Sequence, residues 1–158
     1  MPQQLTERAG GLTHASHGVA LLHYCPVGGR CDSGGVAVTV EDVRRIAAPL
    51  PRAYEVVVRD RVKWRVGSIV WLAFSRDETE LGFAFPREER AALVQSEPDV
   101  FFLPGQVDLR YQWVEAWTDA IDLDRLPELV LDAWAMVVPK SVSAPFFAGL
   151  GAPLRAGR

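Results

Sequence analysis

Four basic residues recur at every second position near the middle of the chain: Arg59, Arg61, Lys63 and Arg65. Valine and tryptophan fill most of the positions between them. Because successive side chains of a β-strand point to opposite faces, this spacing predicts a strand with positive charge on one face and apolar groups on the other. Such a row could neutralise phosphates, and the binding would weaken as salt rises. The alternative is an exposed strand face whose arginines pair with carboxylates such as Asp60 or Glu80.

A second group of residues combines a cation with aromatic rings. Arg110, Tyr111 and Trp113 lie close together in the chain, and Trp117 follows on the same predicted strand. Rings beside a cation could stack on exposed bases. Aromatic residues of strands usually belong to the core, however, and Trp113 and Trp117 share a face by alternation, so we expect these two in the core. Arg110 and Tyr111 sit at a loop boundary and are the better candidates for a surface site.

The residues that most often perform catalysis or bind zinc are confined to the start of the chain. Both cysteines and all three histidines lie between residues 14 and 31, and their spacing matches no paired zinc-binding pattern. Residues 39–140 contain neither type, which removes the commonest general base and the most reactive nucleophile. The carboxylates of Asp99, Asp108 and Glu115 form no recognisable acid/base pair by spacing. We therefore expect a non-enzymatic protein without a metal or cofactor.

Composition limits the class of protein. A chain of 158 residues that is 49% hydrophobic is expected to form one domain. Its net charge of -3 and its pI of about 5.6 are unlike those of a typical nucleic-acid-binding domain, so a phosphate site would have to be local. The longest apolar run near the start, Val19 to Leu22, is too short for a signal peptide or a membrane span. We expect a cytoplasmic protein that does not enter a membrane.

The chain divides into three regions by composition. Residues 1–38 are rich in glycine and lack periodicity, so we expect a poorly ordered N-terminal extension, and translation could naturally begin near Val36. Residues 39–140 carry regular patterns and are expected to form a single α+β domain. Residues 141–158 are rich in alanine, glycine and proline and are expected to form a C-terminal tail.

Periodicity within the central region predicts helix, about four strands, helix, two strands and helix. The alternating stretch from Tyr54 to Val66 predicts two strands that turn near Asp60, which leaves open whether the basic row lies on one strand. Ile69 to Ser75 is apolar on both faces and is expected to be a central strand. Apolar residues at spacings of three and four predict a last helix from Leu126 to Val137. This order is typical of a two-layer α+β domain, an antiparallel sheet with helices packed against it.

Five short motifs resemble the MmcQ/YjbR family. They are Trp64-Arg65-Val66-Gly67, Phe85-Pro86-Arg87-Glu88-Glu89-Arg90, Ser96-Glu97-Pro98-Asp99, Leu109-Arg110-Tyr111-Gln112-Trp113-Val114 and Asp132-Ala133-Trp134-Ala135-Met136-Val137-Val138-Pro139-Lys140. The resemblance runs from Thr39 to about Ala144. It implies a fold similar to the secretion-chaperone class and DNA binding through a paired-wing arrangement of the sheet. The sequence departs from the pattern at Ser68 and Ser141, where lysine is common in relatives, and both changes remove positive charge.

Two hypotheses about function follow. In the first, the basic row contacts the phosphates of DNA, with Arg110 and Tyr111 assisting. In the second, an exposed sheet face lined by aromatic residues binds a peptide or a protein partner, without catalysis. The first predicts affinity that falls steeply with salt, and the second predicts little dependence on salt. Neither hypothesis fixes an oligomeric state.

Overall fold

The computed structural model describes residues 36–150. Along this part of the chain the elements are α1 (Val40–Ala47), β1 (Ala53–Val58), β2 (Arg61–Val66), β3 (Ile69–Phe74), β4 (Glu80–Ala84), α2 (Arg87–Ser96), β5 (Phe101–Phe102), β6 (Trp113–Trp117), α3 (Leu126–Val137) and α4 (Lys140–Gly149). The predicted α+β order is confirmed as far as α3. The predicted N-terminal extension up to residue 35, with its histidines and cysteines, lies outside the described residues. None of the helices within 36–150 is long and apolar enough to cross a bilayer.

The six strands form one antiparallel sheet in the order β1-β2-β3-β4-β6-β5. β3 has a partner on each side, as its apolar sequence predicts. Helices α1 and α3 pack on one face of the sheet, which we call the covered face. Its strand residues belong to the core and include Trp64, Leu72, Phe83 and Val114. We call the opposite face, which carries Lys63 and the residues paired with it, the open face.

Helix α1 is held at both its start and its side. The Thr39 hydroxyl accepts a hydrogen bond from the Asp42 N–H, and the Asp42 carboxylate accepts one from the Thr39 N–H, which completes a capping box. Arg44 donates two hydrogen bonds of 2.8 Å to the carboxylate of Glu55 on β1. The pair explains why the covered face of an edge strand carries an acidic residue. It ties the helix to β1 on the covered face.

Two tight turns set the register of the first three strands. Arg59 and Asp60 connect β1 to β2, and both have positive φ, 53° and 61°, as a type I′ turn requires. Gly67, with φ 59°, begins the two-residue turn between β2 and β3. The basic row therefore straddles a turn: Arg61, Lys63 and Arg65 lie on β2, and Arg59 precedes them in the turn.

The predicted C-terminal tail is wrong for residues 141–149, which belong to α4. Phe146 and Phe147 of this helix pack on Trp134 of α3, with ring centroids 5.1 and 6.1 Å away. The proline inside the helix, Pro145, and its small neighbours made the segment resemble a tail. The two rings cover a face of Trp134 that α3 alone would leave exposed.

The predicted start of order at Thr39 is also late. Val38 is buried, with 2% of its surface exposed, and its N–H donates a hydrogen bond of 2.8 Å to the Thr118 carbonyl. The core thus begins before the helix cap, because the preceding residue packs beside the end of β6.

Candidate functional site

One row of paired residues crosses the open face from a cation to a carboxylate. Lys63 on β2 lies opposite Ala73 on β3, Ala73 lies opposite Gly82 on β4, and Gly82 lies opposite Glu115 on β6. Three strand spacings separate the ends of the row, so the backbones of Lys63 and Glu115 lie about 14 Å apart. A groove of about 710 Å³ lies along this row, where Lys63, Ala73 and Glu115 line it, and it extends to Met136 and Val137 at the end of α3.

The two sides of this groove, which we call the open-face groove, are chemically different. Arg61 and Lys63 line it from β2. Asp108 and Tyr111, from the connection between β5 and β6, line it together with Glu115 from β6. The register of the sheet thus places cations on one side, and carboxylates and a phenol on the other.

Trp113 forms part of the floor. A Cβ atom added to Gly82 would lie 2.5 Å from the indole Nε1 of Trp113, closer than real contacts allow. The glycine therefore lets the indole lie directly against the sheet. The absence of a side chain at Gly82 leaves space over β4, and the indole fills part of that space.

The four cations of the row are close enough to repel one another. Burial lowers the pKa of Lys63, and the charges of Arg61, Arg65 and Arg59 lower it further, whereas Asp108 raises it. None of the four forms an ion pair with another residue of the described part of the chain. The alternative in which Asp60 or Glu80 neutralises the row is therefore not what the structure contains.

Glu115 is the second residue of the groove whose pKa is shifted. Burial raises its pKa above the usual 4.5, and the charges of Glu80 and Asp108 raise it further. Arg61 and a hydrogen bond from Trp113 act in the opposite direction. A carboxyl with a raised pKa and an amine with a lowered pKa in one groove are typical of functional sites, although ion-pair networks also produce them.

The raised pKa of Glu115 makes stability depend on pH. The folded chain holds this proton more tightly than the unfolded chain, so its contribution to the free energy of unfolding is largest below pH 4.5 and declines as pH rises through the folded pKa. Glu115→Gln cannot ionise, so the stability of the variant relative to wild type should increase over that pH window. Urea denaturation of both proteins from about pH 4 to 8 measures the difference. A difference independent of pH would contradict the expectation.

Arg90 positions the side of the groove opposite the cations. Its guanidinium donates hydrogen bonds to the carbonyls of Leu109 at 2.8 Å, Tyr111 at 3.0 Å and Trp113 at 3.3 Å. Only 9% of its surface is exposed. A buried arginine that satisfies three carbonyls fixes the chain that leads into β6.

Two of the sequence motifs meet at this point. Arg87 of the Phe85–Arg90 motif donates a hydrogen bond to the carbonyl of Arg110 in the Leu109–Val114 motif. The guanidinium of Arg110 lies over the Tyr111 ring, 4.8 Å from its centroid, and Tyr111 is 51% exposed. Arg110 and Tyr111 are therefore surface residues, as predicted, and Tyr111 lines the open-face groove.

The expectation that Trp113 and Trp117 lie in the core is wrong. The strand register puts both on the open face, where they are half-buried, and the core residues of β6 are Val114 and Ala116. The Trp117 ring lies 4.4 Å from the ring of Phe102 on β5. Alternation correctly predicted that the two tryptophans share one face of β6. It did not predict which face, because both faces of this strand carry apolar residues.

Sequence reasoning also missed the role of Glu115. Lys63 and Glu115 are far apart in the chain, and only the strand order brings them to one row. A usable signal was present: a glutamate between two tryptophans on one face of a strand seldom belongs to a core. Of the predicted site residues, Arg61, Lys63 and Tyr111 line the groove; Arg59, Arg65 and Arg110 lie outside its lining.

The fold and groove define a class of small α+β domains in which helices cover one face of an antiparallel sheet and leave the other accessible. The sequence model of the YjbR family matches residues 48–136, and the chain belongs to this family. A crystal structure of the Deinococcus radiodurans protein DR2400, with the domain DUF419, shares the fold with a TM-score of 0.57. The two are 21% identical, over 76% of this chain and 94% of that one. No protein with a curated description matches the chain.

Proposed function

We propose that this protein is a non-enzymatic, cytoplasmic DNA-binding protein. The surface that contacts phosphate is the basic row of Arg59, Arg61, Lys63 and Arg65. The observation that carries the proposal is that these cations lie together near the open face without an ion pair to any other described residue.

The energetics of the row favour a polyanion. Lys63 is half-buried among like charges, which lowers its pKa and costs free energy in the unbound protein. Phosphate oxygens would accept hydrogen bonds from the Lys63 amine and reduce the repulsion among the cations. The acidic net charge of -3 confines this effect to one surface.

Spacing along β2 also fits a polymer. Alternate residues of a strand lie about 6.7 Å apart, comparable with successive phosphates of an extended nucleic-acid strand. Arg61, Lys63 and Arg65 can therefore each meet a different phosphate. Tyr111, with Arg110 over its ring, stands across the groove and supplies a surface for stacking.

The charge reversal Arg61→Glu/Lys63→Glu tests the proposal. We expect it to weaken binding of a fluorescently labelled DNA roughly 30-fold at low salt, because two phosphate contacts become repulsive. Titrations followed by fluorescence anisotropy at two salt concentrations measure the affinity and its salt dependence. The wild-type affinity should fall as salt rises, and less steeply in the variant.

The matched control is Arg45→Glu/Arg52→Glu, which changes the net charge equally at two exposed positions outside the basic row. It should weaken binding by no more than about threefold, as expected for a general charge effect. Equal losses in both double variants would show that net charge, and not the row, governs binding. Absence of binding by the wild type at low salt would refute the proposal.

A second candidate is a protein-interaction module. The observation that favours it is the half-buried aromatic pair of Phe102 and Trp117 on the open face. Aromatic residues of this kind are enriched at protein interfaces. This candidate takes precedence if the wild type does not bind DNA at low salt.

A further inference from the structure

The open-face groove has the size of a site for one nucleotide. The row from Lys63 to Glu115 spans about 14 Å between backbones, and its central residues are alanine and glycine. The groove volume of about 710 Å³ lies within the range of sites that enclose small ligands. A DNA backbone bound along β2 would pass beside this groove, so a base could enter it.

The two sides of the groove require a ligand with two different ends. Arg61 and Lys63 favour an anion. Asp108 and Glu115, on the other side, favour N–H donors, because an ionised carboxylate only accepts hydrogen bonds. Burial of Glu115 raises its pKa, so N–H donors that accompany the ionised form would recover free energy lost on desolvation. A nucleotide has its phosphate at one end and base N–H groups at the other.

Aromatic rings border the space between these ends. Trp113 lies against Gly82 on the floor, and Tyr111 stands at the rim with half of its surface exposed. Base–aromatic stacking contributes to single-strand binding whatever the base. Selection among bases would therefore come from the carboxylates and not from the rings.

We infer that the open-face groove receives one unpaired base of a single-stranded DNA, with Glu115 accepting hydrogen bonds from the base while Lys63 and Arg61 contact the phosphate. The inference rests on the proposed function and narrows its ligand from DNA in general to strands with unpaired bases. Guanine fits best, because its Watson–Crick edge presents two adjacent N–H donors to the two carboxylate oxygens. Thymine presents one N–H between two carbonyl oxygens, which the carboxylate repels.

A duplex fits the groove poorly for two reasons. Its base edges are already paired, so the Glu115 carboxylate would find no free Watson–Crick donors. A second phosphate backbone passing over the groove would approach Asp108 and Glu115, and like charges would repel. The carboxylates thus disfavour binding of a duplex, which the cations alone would bind.

Four labelled 12-nucleotide strands test the inference: oligothymidylate, and the same strand with one central guanine, adenine or cytosine. We expect the wild type to bind the guanine strand about tenfold more tightly than oligothymidylate. In Glu115→Gln this ratio should fall close to one, because one of the two terminal atoms of the amide is an NH2 donor, so the side chain cannot present two acceptor atoms to the adjacent N–H groups of guanine. Glu80→Gln is the matched control: Glu80 lies on the same face but does not line the groove, and the ratio should persist.

The outcomes separate this inference from the proposed function. Equal wild-type affinity for all four strands, or an unchanged ratio in Glu115→Gln, overturns the inference and leaves the proposed function standing. Tighter binding of the corresponding duplex also overturns it. Failure of every strand and of the corresponding duplex to bind at low salt overturns both. Circular dichroism of each variant establishes that it is folded.

Free guanosine 5′-monophosphate has the same base and phosphate as the guanine of the strand. It therefore tests whether the ligand is a DNA strand or a free nucleotide. We expect it to displace the labelled guanine strand only at concentrations at least tenfold above the dissociation constant of that strand, because it lacks the neighbouring phosphates that contact the basic row. Displacement at a concentration equal to that constant would identify a free nucleotide as the ligand and overturn the assignment to a strand.

Discussion

Replacing Arg90 with methionine should lower the free energy of unfolding by about 3 kcal/mol. Methionine keeps much of the aliphatic packing but leaves the carbonyls of Leu109, Tyr111 and Trp113 without their donor. The estimate allows for partial recovery, because the connection can move and let water reach these oxygens. Urea denaturation gives the free energy, and an unchanged m-value would show that the native and unfolded states are otherwise similar.

Arg87→Met is the matched control for this experiment. Arg87 is exposed, and the structure gives it one carbonyl partner, that of Arg110. We expect a loss below about 1 kcal/mol, as for other exposed positions. Equal small losses in the two variants would show that the connection into β6 does not depend on the buried guanidinium. The Arg90→Met protein should also bind the guanine strand less selectively, since Tyr111 and Glu115 follow the same backbone.

The double substitution Phe146→Ala/Phe147→Ala should cost about 3 kcal/mol of stability. Both rings are half-buried against Trp134, so each loses part of the contribution of a fully buried phenylalanine. The Trp134 indole also donates a hydrogen bond of 3.0 Å to the carbonyl of Pro51, so its position links α4 to the start of β1. Thermal or urea unfolding, followed by tryptophan fluorescence, measures the loss.

Leu150→Ala provides the comparison, because Leu150 follows the same helix but is 57% exposed. Its replacement should change stability by no more than about 0.5 kcal/mol. Should the double phenylalanine variant be as stable as Leu150→Ala, the packing of α4 would add nothing to the stability of the domain, contrary to this expectation.

Local patterns were sufficient to predict most of the fold. Alternation identified β1 and β2 and the turn at Asp60, and an apolar run identified β3 as central. These predictions succeeded because the period of the apolar residues depends on neighbours in sequence. α4 was missed because Pro145 and small residues give a weak local signal, and the helix depends on contacts with Trp134.

The groove could be predicted only in part. The basic row was visible in the sequence, since its members are two residues apart. The carboxylates on the other side of the groove were not visible in the sequence, because the strand order β3-β4-β6 decides which residues lie across from Lys63. The same holds for Arg90, whose charge predicts exposure although its partners are backbone carbonyls distant in sequence. Long-range register, and not residue type, places these groups.

The two sides of the open-face groove differ in how much length variation they can tolerate. The cations lie on a strand between two-residue turns, so a single inserted residue would rotate Lys63 onto the covered face. Asp108 lies on a longer connection, whose part before Leu109 is not held by Arg90 and can gain or lose residues without shifting the sheet. Changes in the length of this connection would therefore preserve the binding of an anion at β2 and alter which chemical group is recognised beside it.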